Sequence, residues 1–322
     1  MPTRTFAFLH AITPERLQPF RSAAPDVEFL VPGDAPLPAG LERADAGAIS
    51  WDSPPIDTIL AAAPRLRWLH QRGAGIDRIA TPRLVGSEVV VTNGSGNHAP
   101  NIAEHLLALM LAFARQLPAL IRSQQTAHWE PPSTSRLFEL SGQTLAIVGA
   151  GAIGSALAPR AAALGMTVIG VRRTAAPEPA AGMTRIVTID RLDEALGAAD
   201  HVAIALPLTA ETRGLFSTAR LAAMKPGAHL YNVGRGALVD PAALLDALRS
   251  GRLAGAGLDV TDPEPLPPES PLWREPNVVI TAHSSGLTPR SYERYERLLL
   301  DNLGRWVRGE PLLNVVDKRL GY

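Results

Sequence analysis

The chain has 322 residues, 31 basic and 31 acidic side chains giving a formal net charge of zero, and no cysteine. The length suits two domains rather than one core, and the charge balance argues against a nucleic-acid or anionic-membrane partner, both of which need a basic excess. Without cysteine there is no disulfide framework, thiolate nucleophile or Cys-bound metal, and a reducing cytoplasm is the expected compartment.

Residues 1–9 lack the basic start, apolar core and small-residue cleavage site of a leader peptide. Over the first 99 residues, short apolar runs at 5–9, 27–31, 46–49, 66–70 and 88–92 read as strands, with helical patterns at 14–20 and 56–63 between them. That alternation predicts a parallel sheet covered on both faces. One loop directly after a strand, Gln71-Arg72-Gly73-Ala74-Gly75, could aim backbone N–H groups at a carboxylate, with Arg72 adding charge. A plain turn with a solvated arginine is the other reading. A glycine-rich connector, Asn93 to His98, leads to Pro100 and a long apolar helix over 102–117, too short and too charged to span a bilayer. His98, Glu104 and His105 fit no common metal spacing; His98 is a candidate substrate neighbour and His105 a packed or interface histidine. The stretch 123–141 reads as an irregular bridge.

The cofactor signal follows. Residues 145–148 form a short apolar strand, and Gly149-Ala150-Gly151-Ala152-Ile153-Gly154 opens a helix over 155–164. A strand, a tight glycine turn, bare backbone and a helix N-terminus are what a pyrophosphate needs. After the second strand, 166–171, a cofactor lacking a 2′-phosphate usually meets an acidic residue; here Arg172, Arg173 and Thr174 stand instead. Guanidiniums suit a 2′-phosphate, so NADP(H) is expected in preference to NAD(H), which remains possible.

Further strand–helix units place strands at 201–206, 228–233, 255–260 and 278–281, and a helix at 241–248. Arg235, Glu264 and His283 each fall at or just past a strand's carboxyl end. Histidine can give and take a proton near neutrality, a carboxylate on the far ring nitrogen fixes its tautomer, and arginine can hold a substrate carboxylate. The set predicts His283 as acid/base, Glu264 as its partner and Arg235 as substrate anchor. With only Lys225 and Lys318 present, Schiff-base chemistry has almost no candidates, and a serine hydrolase lacks its Gly-x-Ser-x-Gly elbow.

Taken in order, the 145–154 segment, Leu206-Pro207-Leu208-Thr209, Met224-Lys225-Pro226-Gly227-Ala228, 232–240, Leu258-Asp259-Val260 and Pro276-Asn277-Val278 leading to His283 resemble the D-isomer-specific 2-hydroxyacid dehydrogenase family, most densely from 102 to 288. The resemblance implies an α/β chain of two domains. A flavodoxin-like substrate domain would be built from 1–99 and 287–322, with a Rossmann-type dinucleotide-binding domain, 100–286, inserted in it. It also implies cofactor contacts from Pro207, Thr212, Val233, Gly234, Asp259 (near the nicotinamide carboxamide) and Gly286, and carboxylate binding by Gly73–Gly75 backbone. It further implies a homodimer through the nucleotide domain and the same roles for Arg235, Glu264 and His283. Three positions depart from the family's pattern. Arg172 replaces an acidic residue; Ala282 stands where proline often precedes the histidine, leaving the backbone less restrained; Val233-Gly234 replaces Thr-Ala. The expected activity is reduction of a small 2-oxo acid such as glyoxylate or hydroxypyruvate. The alternative is a cofactor-sensing, corepressor-like protein on the same fold, distinguished by absence of turnover.

Overall fold

The computed structural model describes residues 4–174 and 178–322; residues 1–3, the start of the 1–9 segment, and 175–177 lie outside the described residues. The chain divides into two compact units, Met1–Asn97 with Thr288–Tyr322, and His98–Leu287. Against the expected bounds of 99/100 and 286/287, the crossings fall at 97/98 and 287/288.

The first unit holds strands β1 (Arg4–Phe8), β2 (Val27–Leu30), β3 (Ala46–Ile49), β4 (Trp68–Gln71) and β5 (Val90–Asn93), with helices α1 (Pro14–Ala23), α2 (Ile56–Ala62) and α3 (Pro82–Val85). The strands are parallel in the order β2-β1-β3-β4-β5, the flavodoxin-like arrangement. Both faces are covered, which is why the strands read as apolar runs. Leu69 turns toward Ile59, Leu84 and Val91; Trp68 turns toward Phe6, Phe8, Phe20 and the C-terminal helix Pro289–Arg308 through Tyr295 and Leu299. That helix starts at a reciprocal cap between Thr288 and Ser291 and stops at Gly309, φ 72°. The chain beyond it closes the free edge of β5. Thr92 bridges Val315 in antiparallel sense, and Lys318 Nζ donates to the carbonyls of Leu84, Ser87 and Val89 at 3.2, 2.5 and 2.9 Å.

The second unit runs α4 (Ala99–Ala114), α5 (Leu117–Gln125), β6 (Thr144–Val148), α6 (Ala152–Ala163), β7 (Thr167–Arg172), β8 (Arg185–Thr188), α7 (Leu192–Ala198), β9 (His201–Ile204), α8 (Thr218–Ala223), β10 (Ala228–Asn232), α9 (Pro241–Arg249), β11 (Leu253–Leu258) and β12 (Val278–Ile280). Its seven parallel strands are ordered β12-β11-β10-β9-β6-β7-β8. This is the Rossmann order with a seventh strand added, and it reverses between β6 and β9. Leu145 and Ile147 face the layer of α4 and α6, while Ala146 and Val148 face that of α7, α8 and α9.

One expected helix ends earlier than its pattern. The apolar periodicity over 102–117 runs on, yet α4 ends at Ala114 and the chain turns at Gln116 (φ 55°) into α5, a bend of 70°. The cause is Pro118. Its ring clashes with the preceding turn and disfavours helical backbone at Leu117, whereas a proline is tolerated in the first turn of a new helix. The bridge expected at 123–141 accordingly begins after Gln125. No single helix among the described residues is long and apolar enough to cross a membrane.

The amino-terminal edge of this sheet buries two imidazoles. His201 Nε2 donates to Gln143 Oε1 at 2.5 Å and Nδ1 meets Tyr231 Oη at 3.0 Å, which suits the neutral ring. His229 stacks on it, with centroids 5.4 Å apart. Burial lowers His201 to about 3 and His229 to about 4. The unfolded chain takes up these protons below pH 6.5 while the folded chain does not, so stability falls from pH 6.5 downward until the folded values are reached. We expect the unfolding free energy measured in urea to fall between pH 7.5 and 5.0, by about 2 kcal/mol for each imidazole held neutral. His229→Phe keeps the ring contacts and should flatten that acid limb; an unchanged limb would contradict the assignment.

Candidate active site

A parallel sheet delivers every loop that follows a strand to one edge. In the second unit this places the glycine turn after β6, Arg172 after β7, Pro207 after β9, Arg235 after β10, Glu264 after β11 and His283 after β12, and β10, β11 and β12 are adjacent.

The glycine turn fits a dinucleotide position by position. Gly149 has φ 102°, and a Cβ there would lie 2.5 Å from the Ala205 carbonyl oxygen. Gly154 allows α6 to close on β6, since a Cβ would lie 3.0 Å from Ile147 Cγ2. Gly151 has nothing within 4 Å on its Cβ side, which leaves bare backbone for a pyrophosphate. Ala152 and Ile153 follow in the first turn of α6, where N–H groups lack intrahelical partners. Arg172, Arg173 and Thr174 are all exposed at the end of β7, with no carboxylate among them. Thr212 Oγ1 donates to the Pro207 carbonyl at 2.8 Å, so both residues shape one loop.

Arg235 is placed by a neighbour that the sequence pattern did not single out. Asn232 is fully buried; its amide donates to the Arg235 carbonyl at 2.8 Å and its oxygen accepts from Gly234 N–H at 3.0 Å. Val233 is buried beside them, and Gly236 passes so close to Thr261 that a Cβ would collide with its carbonyl. Asparagine closing a buried strand was the available signal.

His283 Nδ1 and Glu264 Oε1 lie 2.6 Å apart, with the side chains 44% and 29% exposed. A carboxylate only accepts, so Nδ1 carries a proton and Nε2 is the ring nitrogen that Glu264 does not engage. Asp259, 1% exposed, sits beneath this loop. Its oxygens accept from Thr281 Oγ1 at 2.7 Å, from the Ser284 and Ser285 N–H groups at 2.9 and 3.2 Å, and from Ser285 Oγ. Any contact of Asp259 with a carboxamide must share these oxygens. Gly286 ends the loop, its carbonyl 2.9 Å from His98 Nδ1.

In the first unit, Arg72 and Gly73 to Gly75 follow β4. The Arg72 guanidinium carbon is 3.9 Å from the Tyr292 ring centroid, and Nη1 is 3.5 Å from Ser50 Oγ. The Gly73 and Ala74 carbonyls are taken by Gly94 N–H and Asn93 Nδ2. The N–H groups of Gly73, Ala74 and Gly75 donate to no backbone carbonyl among the described residues.

Fold and site together define a two-domain chain with a Rossmann-type nucleotide unit. Residues 107–285 match the family model described as D-isomer specific 2-hydroxyacid dehydrogenase, NAD binding domain. The chain belongs to that family. It is 36% identical over 281 residues to the D-3-phosphoglycerate dehydrogenase of Mycobacterium bovis, covering 87% of this chain and 52% of that one. It therefore spans about half the length of those curated relatives. With the glyoxylate reductase of Korarchaeum cryptofilum it shares 34% identity over 273 residues, 83% of this chain and 81% of that one. Among solved structures it is similar to a D-isomer specific 2-hydroxyacid dehydrogenase from Xanthobacter autotrophicus Py2 in complex with NADPH and MES (32% identity, TM-score 0.84, covering 99% and 100% of the chains). An NADPH-dependent glyoxylate/hydroxypyruvate reductase from Sinorhizobium meliloti is also similar (30%, 0.84, 99% and 100%).

The loop before the histidine takes left-handed backbone. Ala282, expected to leave the backbone less restrained, has φ 47°, and His283 has φ 55°. Two successive left-handed non-glycine residues cost about 1–2 kcal/mol each, and proline, fixed near −65°, cannot take this conformation. We expect Ala282→Gly to stabilise the protein by about 1 kcal/mol in urea unfolding and Ala282→Pro to destabilise it. A neutral or stabilising proline would contradict the left-handed loop.

Proposed function

We propose that this chain is an NADP(H)-dependent oxidoreductase that reduces a small 2-oxo acid of glyoxylate or hydroxypyruvate size to the D-hydroxy acid. The observation that carries the reading is the 2.6 Å pairing of His283 with Glu264 at the same sheet edge as the glycine turn. A bound nicotinamide cofactor supplies or accepts the hydride. His283 Nε2 gives its proton to the substrate's carbonyl oxygen in reduction and takes it back from the hydroxyl in oxidation. Glu264 keeps the ring in the one tautomer and offsets the charge it carries before the proton leaves. Arg235 binds the substrate carboxylate with a fork of donors. The Gly73–Gly75 N–H groups and Arg72 are further carboxylate ligands. Gly149 to Gly154, Pro207, Thr212, Val233, Gly234, Asp259 and Gly286 line the cofactor, and Arg172 with Arg173 and Thr174 receives the 2′-phosphate. A homodimer would cover apolar side chains left exposed on the second unit, such as Leu117 and Ile121, 44% and 53% exposed.

Support for the cofactor comes from the absence of any carboxylate in Arg172-Arg173-Thr174 and from relatives whose structures hold NADPH or NADP. The test is oxidation of NADPH and of NADH driven by a panel of 2-oxo acids that includes glyoxylate, hydroxypyruvate and the phosphoglycerate dehydrogenase substrate pair. We expect higher kcat/KM with NADPH, and turnover with the small unphosphorylated acids. Tight NADPH binding without turnover on any acid would favour the sensor reading instead.

His283→Ala should lower kcat by at least about a hundredfold; a loss below about tenfold would place the proton donor elsewhere. Arg172→Asp should move preference toward NADH, because a carboxylate there repels a 2′-phosphate and suits ribose hydroxyls. An unchanged ratio of kcat/KM values for the two cofactors would remove Arg172 from the site.

A further inference from the structure

The loop that carries His283 is held in a conformation its own residues disfavour. The left-handed pair Ala282–His283 has no glycine to ease it, and such backbone persists only where the surroundings over-determine it. Two sets of contacts do so. The first is Asp259, whose carboxylate and carbonyl take the Thr281 hydroxyl, the Ser285 hydroxyl and the N–H groups of His283, Ser284 and Ser285. The second comes from one face of α4 and its cap. His98, Asn101 and His105 recur at spacings of three and four, so they lie in line along the helix. Each reaches a different point of the same loop: His98 Nδ1 to the Gly286 carbonyl at 2.9 Å, Asn101 Nδ2 to the Ser285 carbonyl at 2.7 Å, and His105 Nε2 to Thr281 Oγ1 at 2.9 Å.

Donor bookkeeping orders these bonds. The Asp259 carboxylate can only accept, so the Thr281 hydroxyl donates to it. The Thr281 oxygen is then left as an acceptor, and His105 Nε2 must be the donor. Likewise the Gly286 carbonyl makes His98 Nδ1 a donor. The chain His105 → Thr281 → Asp259 thus runs in one direction and ends on a buried carboxylate, while the loop's carbonyls at 285 and 286 are taken by the same helix face.

We propose that the α4 face of His98, Asn101 and His105, acting with Asp259 through Thr281, is the clamp that positions His283 against Glu264. These are positioning residues, since they act through the loop and not on substrate. The proposal rests on the reading of His283 as the proton donor, and it extends that reading to a helix remote in sequence.

The test uses the full chain with Thr281→Val, which keeps the side chain's shape and removes the hydroxyl, Thr281→Ser, which restores it, and His105→Leu. Two readouts are taken: glyoxylate reduction with NADPH, and amide hydrogen exchange of residues 281–286 in the free protein. We expect Thr281→Val to lower kcat by at least about tenfold, with KM for NADPH within about threefold of the parent, because a misplaced catalytic group costs rate more than binding. Thr281→Ser should recover kcat to within about threefold. Exchange at Ser284 and Ser285 should be at least about tenfold faster in Thr281→Val and in His105→Leu. A kcat within about twofold of the parent in Thr281→Val, or unchanged exchange at Ser284 and Ser285, overturns the clamp. If Thr281→Val does not fold, His105→Leu carries both measurements. If the parent turns over no 2-oxo acid, the functional reading fails, and exchange alone decides the clamp.

Discussion

A carboxylate almost fully removed from water needs hydrogen-bond donors around it. Taking it out of solvent costs several kcal/mol even after relaxation, and each hydrogen bond to a charged group returns about 1.5–3 kcal/mol. Asp259 is in that position at the carboxyl end of β11. Its donors come from the turn after β12. Neutralising the buried charge and building the histidine loop are therefore one event. The loop cannot relax toward ordinary backbone without stripping the carboxylate, and this is what lets the left-handed pair Ala282–His283 persist.

The same economy organises the rest of the sheet edge. Asn232 ends β10 buried and uses both halves of its amide on the turn that carries Arg235. Gly236 lets that turn press on the Thr261 backbone, just before Glu264. At or just past the ends of three neighbouring strands stands a polar or charged side chain, Asn232, Asp259 or Thr281, that serves as an internal fastening, and Arg235, Glu264 or His283 follows within a few residues. Asn232 and Asp259 are buried and Thr281 partly so, while the His283 and Glu264 side chains are 44% and 29% exposed. The apolar layers beneath, with Leu230 and Leu258 on one side and Tyr231 on the other, hold the strands in register so that the loops start from fixed points.

How much of this was readable follows from the range of the interactions. Gly149, Gly151 and Gly154 act on the residues next to them, and their roles stand in the order of the letters. Arg235, Glu264 and His283 share one edge because parallel topology sends strand ends there, a rule that needs no coordinates. The break of α4 at Gln116 was legible in Pro118, but the apolar period masked it. β8, Arg185–Thr188, and α7 went unread because four- and seven-residue elements carry too little periodicity to register. Asn232, Thr281 and Ser285 are small polar residues whose partners lie elsewhere in the chain. The helical spacing of His98, Asn101 and His105 is visible in the sequence, yet the loop they bind lies more than 170 residues away. Tertiary pairing of that kind leaves no local trace.

Position 282 shows what the substitution of a single residue type implies. A proline before the histidine restrains the turn locally, by fixing φ in the right-hand half of conformational space. Alanine removes that restraint and opens left-handed backbone at a cost of about 1–2 kcal/mol. Restraint then has to come from tertiary hydrogen bonds, which in this chain run through Thr281, Ser285 and the α4 face. The His283 loop is thereby tied to the helix that opens the nucleotide unit rather than restrained by its own backbone. Whatever shifts α4 along its axis shifts the Thr281 and Ser285 contacts with it, so placement of His283 depends on helix packing some 180 residues upstream in the chain.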